Sequence, residues 1–161
     1  LIIDLPPGTG DAPLTLAQTI PITGILVVTT PQDIAMNVAV KSIGMFNKLN
    51  VPIIGVIENM SYIQCSDCGN EISIFGAGGG QKISDQFKIP FIGQIPLSTQ
   101  IMNGSDSGKP VAISNPDDSQ TFVFDKIARS VAGRISIIAA ELRESESNLQ
   151  SEEITSKDGS R

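Results

Sequence analysis

Cys65-Ser66-Asp67-Cys68 is the stretch of this chain whose residue types most directly suggest chemistry. Two thiolates at this spacing can grip one metal centre with little backbone strain. A tetrahedral zinc site or a cysteine-ligated iron–sulfur cluster usually takes four ligands. The chain has no third cysteine and no histidine. Either the site is shared between two chains or it is not a full metal site. A structural Zn²⁺, a redox-active pair and two unliganded cysteines are the competing readings. A thioredoxin-like pair should open a helix, and loop-type residues follow here.

A second stretch is Asp4-Leu5-Pro6-Pro7-Gly8-Thr9-Gly10-Asp11. An apolar run delivers an acid, and a rigid glycine-containing turn follows. Ligands of open parallel sheets bind outside the carboxyl ends of the strands. Asp4 at such an end can help hold Mg²⁺ at a bound triphosphate. Gly8, with no side chain in the way, can bring its N–H against a terminal phosphate. The plainer reading is a Pro/Gly-rich turn in which Asp11 caps the next helix.

The elements that must position these residues follow from periodicity. Leu1 to Asp4 reads as the end of a buried strand whose start lies upstream, so Leu1 is not expected to be the natural amino terminus of a whole domain. Leu5 to Pro13 reads as a loop, and Leu14 to Thr19 as a short helix. Gly24 to Thr30 and Val51 to Ile57 are continuous apolar runs that suit parallel strands. Between them Asp33 to Leu49 reads as a helix, with Asp33 as N-cap and Ile34, Val38, Ile43 and Phe46 as its apolar stripe. Glu58 to Gly80 is irregular. Gln81 to Phe87, Ser98 to Ser107 and Thr121 to Leu142 read as helices, the last with Phe122, Phe124, Ile127, Val131 and Ile135 on its buried face. Phe91 to Ile95 reads as a short strand. This alternation predicts an α/β fold with a mainly parallel sheet. The expected organisation is one body over 1–142 and a disordered acidic tail over 143–161.

Bulk composition narrows the function classes. Of 161 residues 40% are hydrophobic and 17% charged, which is apolar enough for a packed core. The net charge of −6 and the lack of a basic stripe argue against a nucleic-acid partner. No run has the apolar length of a membrane span, and no signal peptide is expected from these residues. With only two cysteines a secreted disulfide scaffold is not expected, and the compartment expected is cytoplasmic.

LIIDLPPGTGD, VTTPQDIA (28–35), GVIENMSYIQCSDCG (55–69), IFGAGGG (74–80) and IGQIPLS (92–98), in this order, resemble the Mrp/ApbC family of MinD-like P-loop ATPases, which act as iron–sulfur cluster carriers. The resemblance runs from residue 1 to about residue 140, and the combination of DLPPGTGD, ENMSY and a following CxxC is specific to it. It implies a partial P-loop NTPase three-layer sandwich. Asp4 is then the acid near Mg²⁺, and Gly8 the switch glycine at the γ-phosphate. Asn59 is the amide that reads adenine, since an amide can pair with both N6 and N7. Pro96 and Leu97 belong to the adenine wall. Cys65 and Cys68 would hold a bridging cluster, of the four-iron type, across a homodimer that serves apo recipient proteins.

Two departures from the family pattern bear on function. The family carries a glycine-rich phosphate loop upstream of DLPPGTGD, and no G-x-x-x-x-G-K-[ST] occurs here. GAGGG lacks the lysine and the preceding strand. The chain is therefore expected to bind ATP weakly and to hydrolyse it at no useful rate, although the parent family is an ATPase. Apolar surface is expected to be exposed where the first strand would pack. Ser66 and Asp67 stand where the family often has a proline, which bears on potential and lability. A MinD/ParA-like partitioning ATPase and a non-catalytic zinc-linked dimer are the alternative functions. The acidic, non-amphipathic end of the terminal helix argues against a membrane grip.

Overall fold

The computed structural model describes residues 1–65 and 67–158, with side chains described as far as Glu144. In chain order the elements are α1 (Asp11–Thr19), β1 (Ile25–Thr29), α2 (Asp33–Lys48), β2 (Ile53–Glu58), β3 (Ile63–Gln64), β4 (Glu71–Ile72), α3 (Gly79–Phe87), β5 (Phe91–Gln94), α4 (Thr99–Asp106), α5 (Val111–Ser114) and α6 (Ser119–Asp158). The apolar runs form a parallel sheet of order β1-β2-β5, as the alternation predicts.

β2 is the central strand and every residue of it is buried. Successive side chains of a strand point to opposite faces, so a strand covered on both sides must be apolar throughout. Val56 joins one core cluster with Val27, Ala39, Ile43, Phe46 and Ile83. Its neighbour Ile57 joins the other, with Ile95 and Ile127. Helices α2 and α3 supply the first cluster and α6 the second, which gives three layers. Burying one such aliphatic side chain contributes roughly 1.5–3 kcal/mol.

The structure corrects several expectations. Leu1 to Asp4 is neither strand nor buried: Leu1 and Ile2 are fully exposed and Ile3 and Asp4 are exposed. A strand needs a hydrogen-bonded neighbour, and among the described residues β1 pairs only with β2. α1 begins at Asp11, earlier than the prolines suggest, because Pro13 sits in the first turn, where no intrahelical N–H is lost. Asp33 lies inside the first turn of α2, and the N-cap is Gln32. Ile34 and Val38 are exposed, and Ala39 with Ile43 and Phe46 forms the buried stripe. On α6 Phe122 is exposed, while Ile127 and Ile138 are buried. The 58–80 stretch is less irregular than expected, since β3 and β4 pair as an antiparallel hairpin. α6 crosses residue 143 and continues to Asp158. A polar composition argues against burial rather than against helicity. Residues 159–161 of the expected tail lie outside the described residues.

At the carboxyl end of the sheet, Thr29, Glu58 and Gln94 stand in register on the three strands. Glu58 is completely buried. Its Oε1 accepts from Ser61 Oγ at 2.5 Å and from Gln94 Nε2 at 3.1 Å, and its Oε2 accepts from the Gly80 N–H at 2.6 Å. The Gly78 N–H also points to the carboxylate. Burial pushes the Glu58 pKa up. The bonds from Ser61, Gly80, Gln94 and Gly78 outweigh it, and the carboxyl lies below its ordinary value of 4.5. Gly80 must be a glycine to come this close: a Cβ there would stand 2.8 Å from Phe91 Cε2 and 3.0 Å from Glu58 Cβ.

Glu58→Ala removes the acceptor and leaves buried donors unpaired, so denaturant unfolding is expected to show a loss of about 3–5 kcal/mol. A loss under 1 kcal/mol would mean that water replaces the carboxylate. Because the folded pKa is depressed, the stability from Glu58 is fully present above pH 4.5 and is lost as pH falls through the folded pKa. Glu58→Gln is expected to flatten that part of an acid-unfolding curve. Gly80→Ala should cost about 1–3 kcal/mol through overpacking, against the usual preference of helices for alanine. The same denaturant titration checks this, and an unchanged midpoint would contradict the packing argument.

Candidate functional site

The backbone past β2 runs beside the backbone past β5. The Asn59 N–H donates to Thr29 O at 2.7 Å, the Ile95 N–H to Glu58 O at 2.8 Å, the Ser61 N–H to Ile95 O at 3.0 Å and the Leu97 N–H to Tyr62 O at 2.8 Å. These bonds bring ENMSY and IPLS together along the carboxyl edge, where ligands of parallel sheets bind. Met60 turns through the left-handed region at φ 55°, an uncommon place for a side chain of its size. Its N–H donates to Asn59 Oδ1 at 2.9 Å. A carbonyl-type oxygen has a second lone pair, so Asn59 can still accept and donate at the same time.

Two clefts meet at Asn59. The larger, about 1160 Å³, is lined by Asn59, Tyr62, Cys65, Pro96, Leu97 and Met102 among others. The smaller, about 400 Å³, is lined by Gly8, Val28, Thr30, Val38 and Asn59 among others. Asn59, Pro96 and Cys65 therefore share one cleft, and Asn59 and Gly8 share the other. Asp4 and Cys68 line neither. Gly8 holds φ 93°, a conformation that favours glycine, and a Cβ there would meet nothing within 4 Å. Thr30 Oγ1 is buried at the small cleft with no hydrogen-bond partner among the described residues. An open glycine and an orphaned hydroxyl are groups that a bound phosphate or base can satisfy. The residues present thus fit part of a nucleotide, without a lysine-bearing phosphate loop in the chain.

The cysteines sit at the tip of the β3–β4 hairpin. The Cys65 N–H donates to Asn70 O at 2.9 Å and the Gly69 N–H to Cys65 O at 2.9 Å, which closes the loop. Both thiols are free, Cys65 half-buried and Cys68 exposed. The Cys68 N–H, then the Asp67 N–H and the Cys68 thiol, hydrogen-bond to the Cys65 sulfur and hold its pKa below the ordinary thiol value. Amides aimed at sulfur favour the thiolate, which is the form that binds metal. No group of three or more His, Cys, Asp or Glu able to hold a metal ion occurs among the described residues. Ser66 lies outside them.

Glu58 is the residue that sequence reasoning missed. The signal was an acid ending an otherwise apolar strand, IIGVIE, in a chain whose next helix opens on three glycines. A buried carboxylate needs donors, and glycine amides at a helix start supply them. No helix among the described residues is long and apolar enough to cross a membrane.

Residues 1–132 match the ParA family of NUBPL iron-transfer P-loop NTPases. An iron–sulfur cluster carrier protein of Salmonella typhimurium is 47% identical over 135 residues, 84% of this chain and 37% of that protein. The iron–sulfur cluster transfer protein NUBPL of Dictyostelium discoideum is 43% identical over 138 residues, 86% of this chain and 43% of that protein. The chain thus spans about two fifths of the length of these relatives. Among solved structures, a nucleotide-binding protein of Archaeoglobus fulgidus in complex with ADP is 35% identical with a TM-score of 0.61, over 73% of this chain and 47% of that one. The cell division ATPase MinD of Pyrococcus furiosus shares the fold at 20% identity and a TM-score of 0.50, over 67% of this chain and 41% of that one. The sheet, the ordered motifs and these likenesses agree that the chain belongs to the family of NUBPL iron-transfer P-loop NTPases.

Proposed function

We propose that this chain is the cluster-bearing part of an iron–sulfur cluster carrier whose transfer is governed by a bound nucleotide. The observation that carries the reading is the CxxC tip, where amides turn toward the Cys65 sulfur and only two thiolates are available. A cysteine-held cluster needs more ligands than one tip provides. The cargo is a four-iron cluster bridging two copies of the chain, each giving Cys65 and Cys68. Exposure of Cys68 at the tip leaves it accessible to a second copy and to an apo recipient protein. Thiolate exchange with a recipient's cysteines then moves the cluster without a redox step.

A nucleotide would be held along Asn59, Pro96 and Leu97 with Gly8 at its phosphates, and Asp4, on the exposed segment that leads into Gly8, would help hold Mg²⁺. Asn59 reads the base through its side-chain amide. When bound, Mg²⁺ neutralises phosphate charge. The protein works in a reducing, cytoplasmic setting, which keeps the thiols free. It needs no membrane and no nucleic acid.

Anaerobic reconstitution followed by iron and acid-labile sulfide analysis is expected to find both in the wild-type chain and neither in Cys65→Ala/Cys68→Ala. Zinc alone after reconstitution would favour a structural clasp, and no metal at all would remove the carrier reading. Titration with ADP should show weak binding, weakened further by Asn59→Ala by about tenfold, the change expected for one lost bidentate base contact. Equal affinity in the variant would remove Asn59 from the base site. Magnesium-dependent ATP turnover is expected to be absent, and turnover abolished by Asp4→Ala would overturn that.

A further inference from the structure

The CxxC lies on an excursion that leaves the body after β2 and returns at α3. Its own surface does little to fix it. Asp67 through Ile74 are exposed, and among the described residues β3 pairs only with β4. Orientation must therefore be set where the excursion meets the body. At the outgoing stem, Ser61 Oγ donates to Glu58 Oε1. At the returning stem, the Gly80 N–H donates to Glu58 Oε2 and the Gly78 N–H points to the same carboxylate. Gln94 Nε2, on β5, completes the shell at Oε1. One buried carboxylate thus ties both stems of the excursion to each other and to the sheet.

We infer that Glu58 is a positioning residue for the CxxC, a clamp at the neck of the cysteine-bearing arm whose loss frees the arm without dissolving the sheet. The carboxylate touches neither cysteine. It acts through Ser61 on one side and through Gly78 and Gly80 on the other. Two bonds from opposite stems on two oxygens of one rigid group fix their spacing, as a covalent cross-link would. A side chain presenting one oxygen cannot serve both stems equally. Glutamine can turn its oxygen to the glycine amides and its amino group to the Ser61 oxygen, so it should restore the clamp in part. The consequence for cluster binding rests on the carrier reading above, whereas the mechanical claim stands on the hydrogen bonds alone.

The test is amide hydrogen exchange with mass spectrometry on the full chain as wild type, Glu58→Ala, Glu58→Gln and Ser61→Ala. It is paired with iron and sulfide content after anaerobic reconstitution. In Glu58→Ala, exchange across residues 59–79 is expected to rise about tenfold or more beyond the rise that the lower global stability causes in β1 and residues 53–57. Glu58→Gln should fall between it and the wild type. Ser61→Ala, which keeps the carboxylate, should loosen mainly residues 61–65, and it provides the test if Glu58→Ala fails to fold. Cluster content should fall in the same order as arm protection. A rise spread evenly over sheet and arm would make Glu58 an ordinary stability residue and overturn the inference. Unchanged exchange across the arm in either Glu58→Ala or Ser61→Ala would overturn it as well. A looser arm in a protein that takes up no cluster even as wild type would uphold the clamp and sink the carrier reading instead.

Discussion

The arrangement depends on one buried negative charge. An ionised carboxylate taken out of water is tolerated only when donors replace the lost hydration. Glu58 obtains them from Ser61, Gln94, Gly78 and Gly80, and these donors come from three separate parts of the chain. Satisfying that charge fixes the meeting point of the ENMSY turn, the start of α3 and the end of β5. The glycine run follows from the same demand, because Gly80 has no room for a Cβ between Phe91 and Glu58.

The candidate site sits around this knot. Strand ends Thr29, Glu58 and Gln94 are in register, and the turn after Glu58 sets Asn59 between two clefts. The cysteine hairpin hangs from the same turn, so Asn59 and the CxxC share one anchored backbone. A carrier must hold its cargo firmly enough to keep it and loosely enough to release it. Under the proposed carrier reading, an arm with few contacts of its own and a firm neck suits that demand, because changes at the neck would reorient the CxxC tip as a whole.

Much of this was legible in the sequence, for identifiable reasons. Continuous apolar runs such as GILVVTT and VPIIGVI suit parallel strands, and they became β1 and β2, of which β2 is buried throughout while Val28 of β1 is exposed. Ordered motifs led to the family, and they gather Asn59, Pro96 and Cys65 at one cleft. What stayed hidden depended on partners distant in sequence. Nothing local says that Glu58 will meet a glycine amide 22 residues away. Leu1 to Asp4 has strand-like residues, yet strand formation is a property of pairs, and no neighbour among the described residues pairs with it. Ile34 and Val38 fit a helical stripe by spacing, but burial is decided by what lies opposite. The hairpin was obscured because its paired segments are only two residues each.

A cluster held between two CxxC tips is tested most directly by native mass spectrometry of the anaerobically reconstituted chain. Four irons and four sulfides are expected only on a species of two chains, with no cluster on single chains. A cluster on a single chain, or a two-chain species whose only metal is zinc, would contradict it.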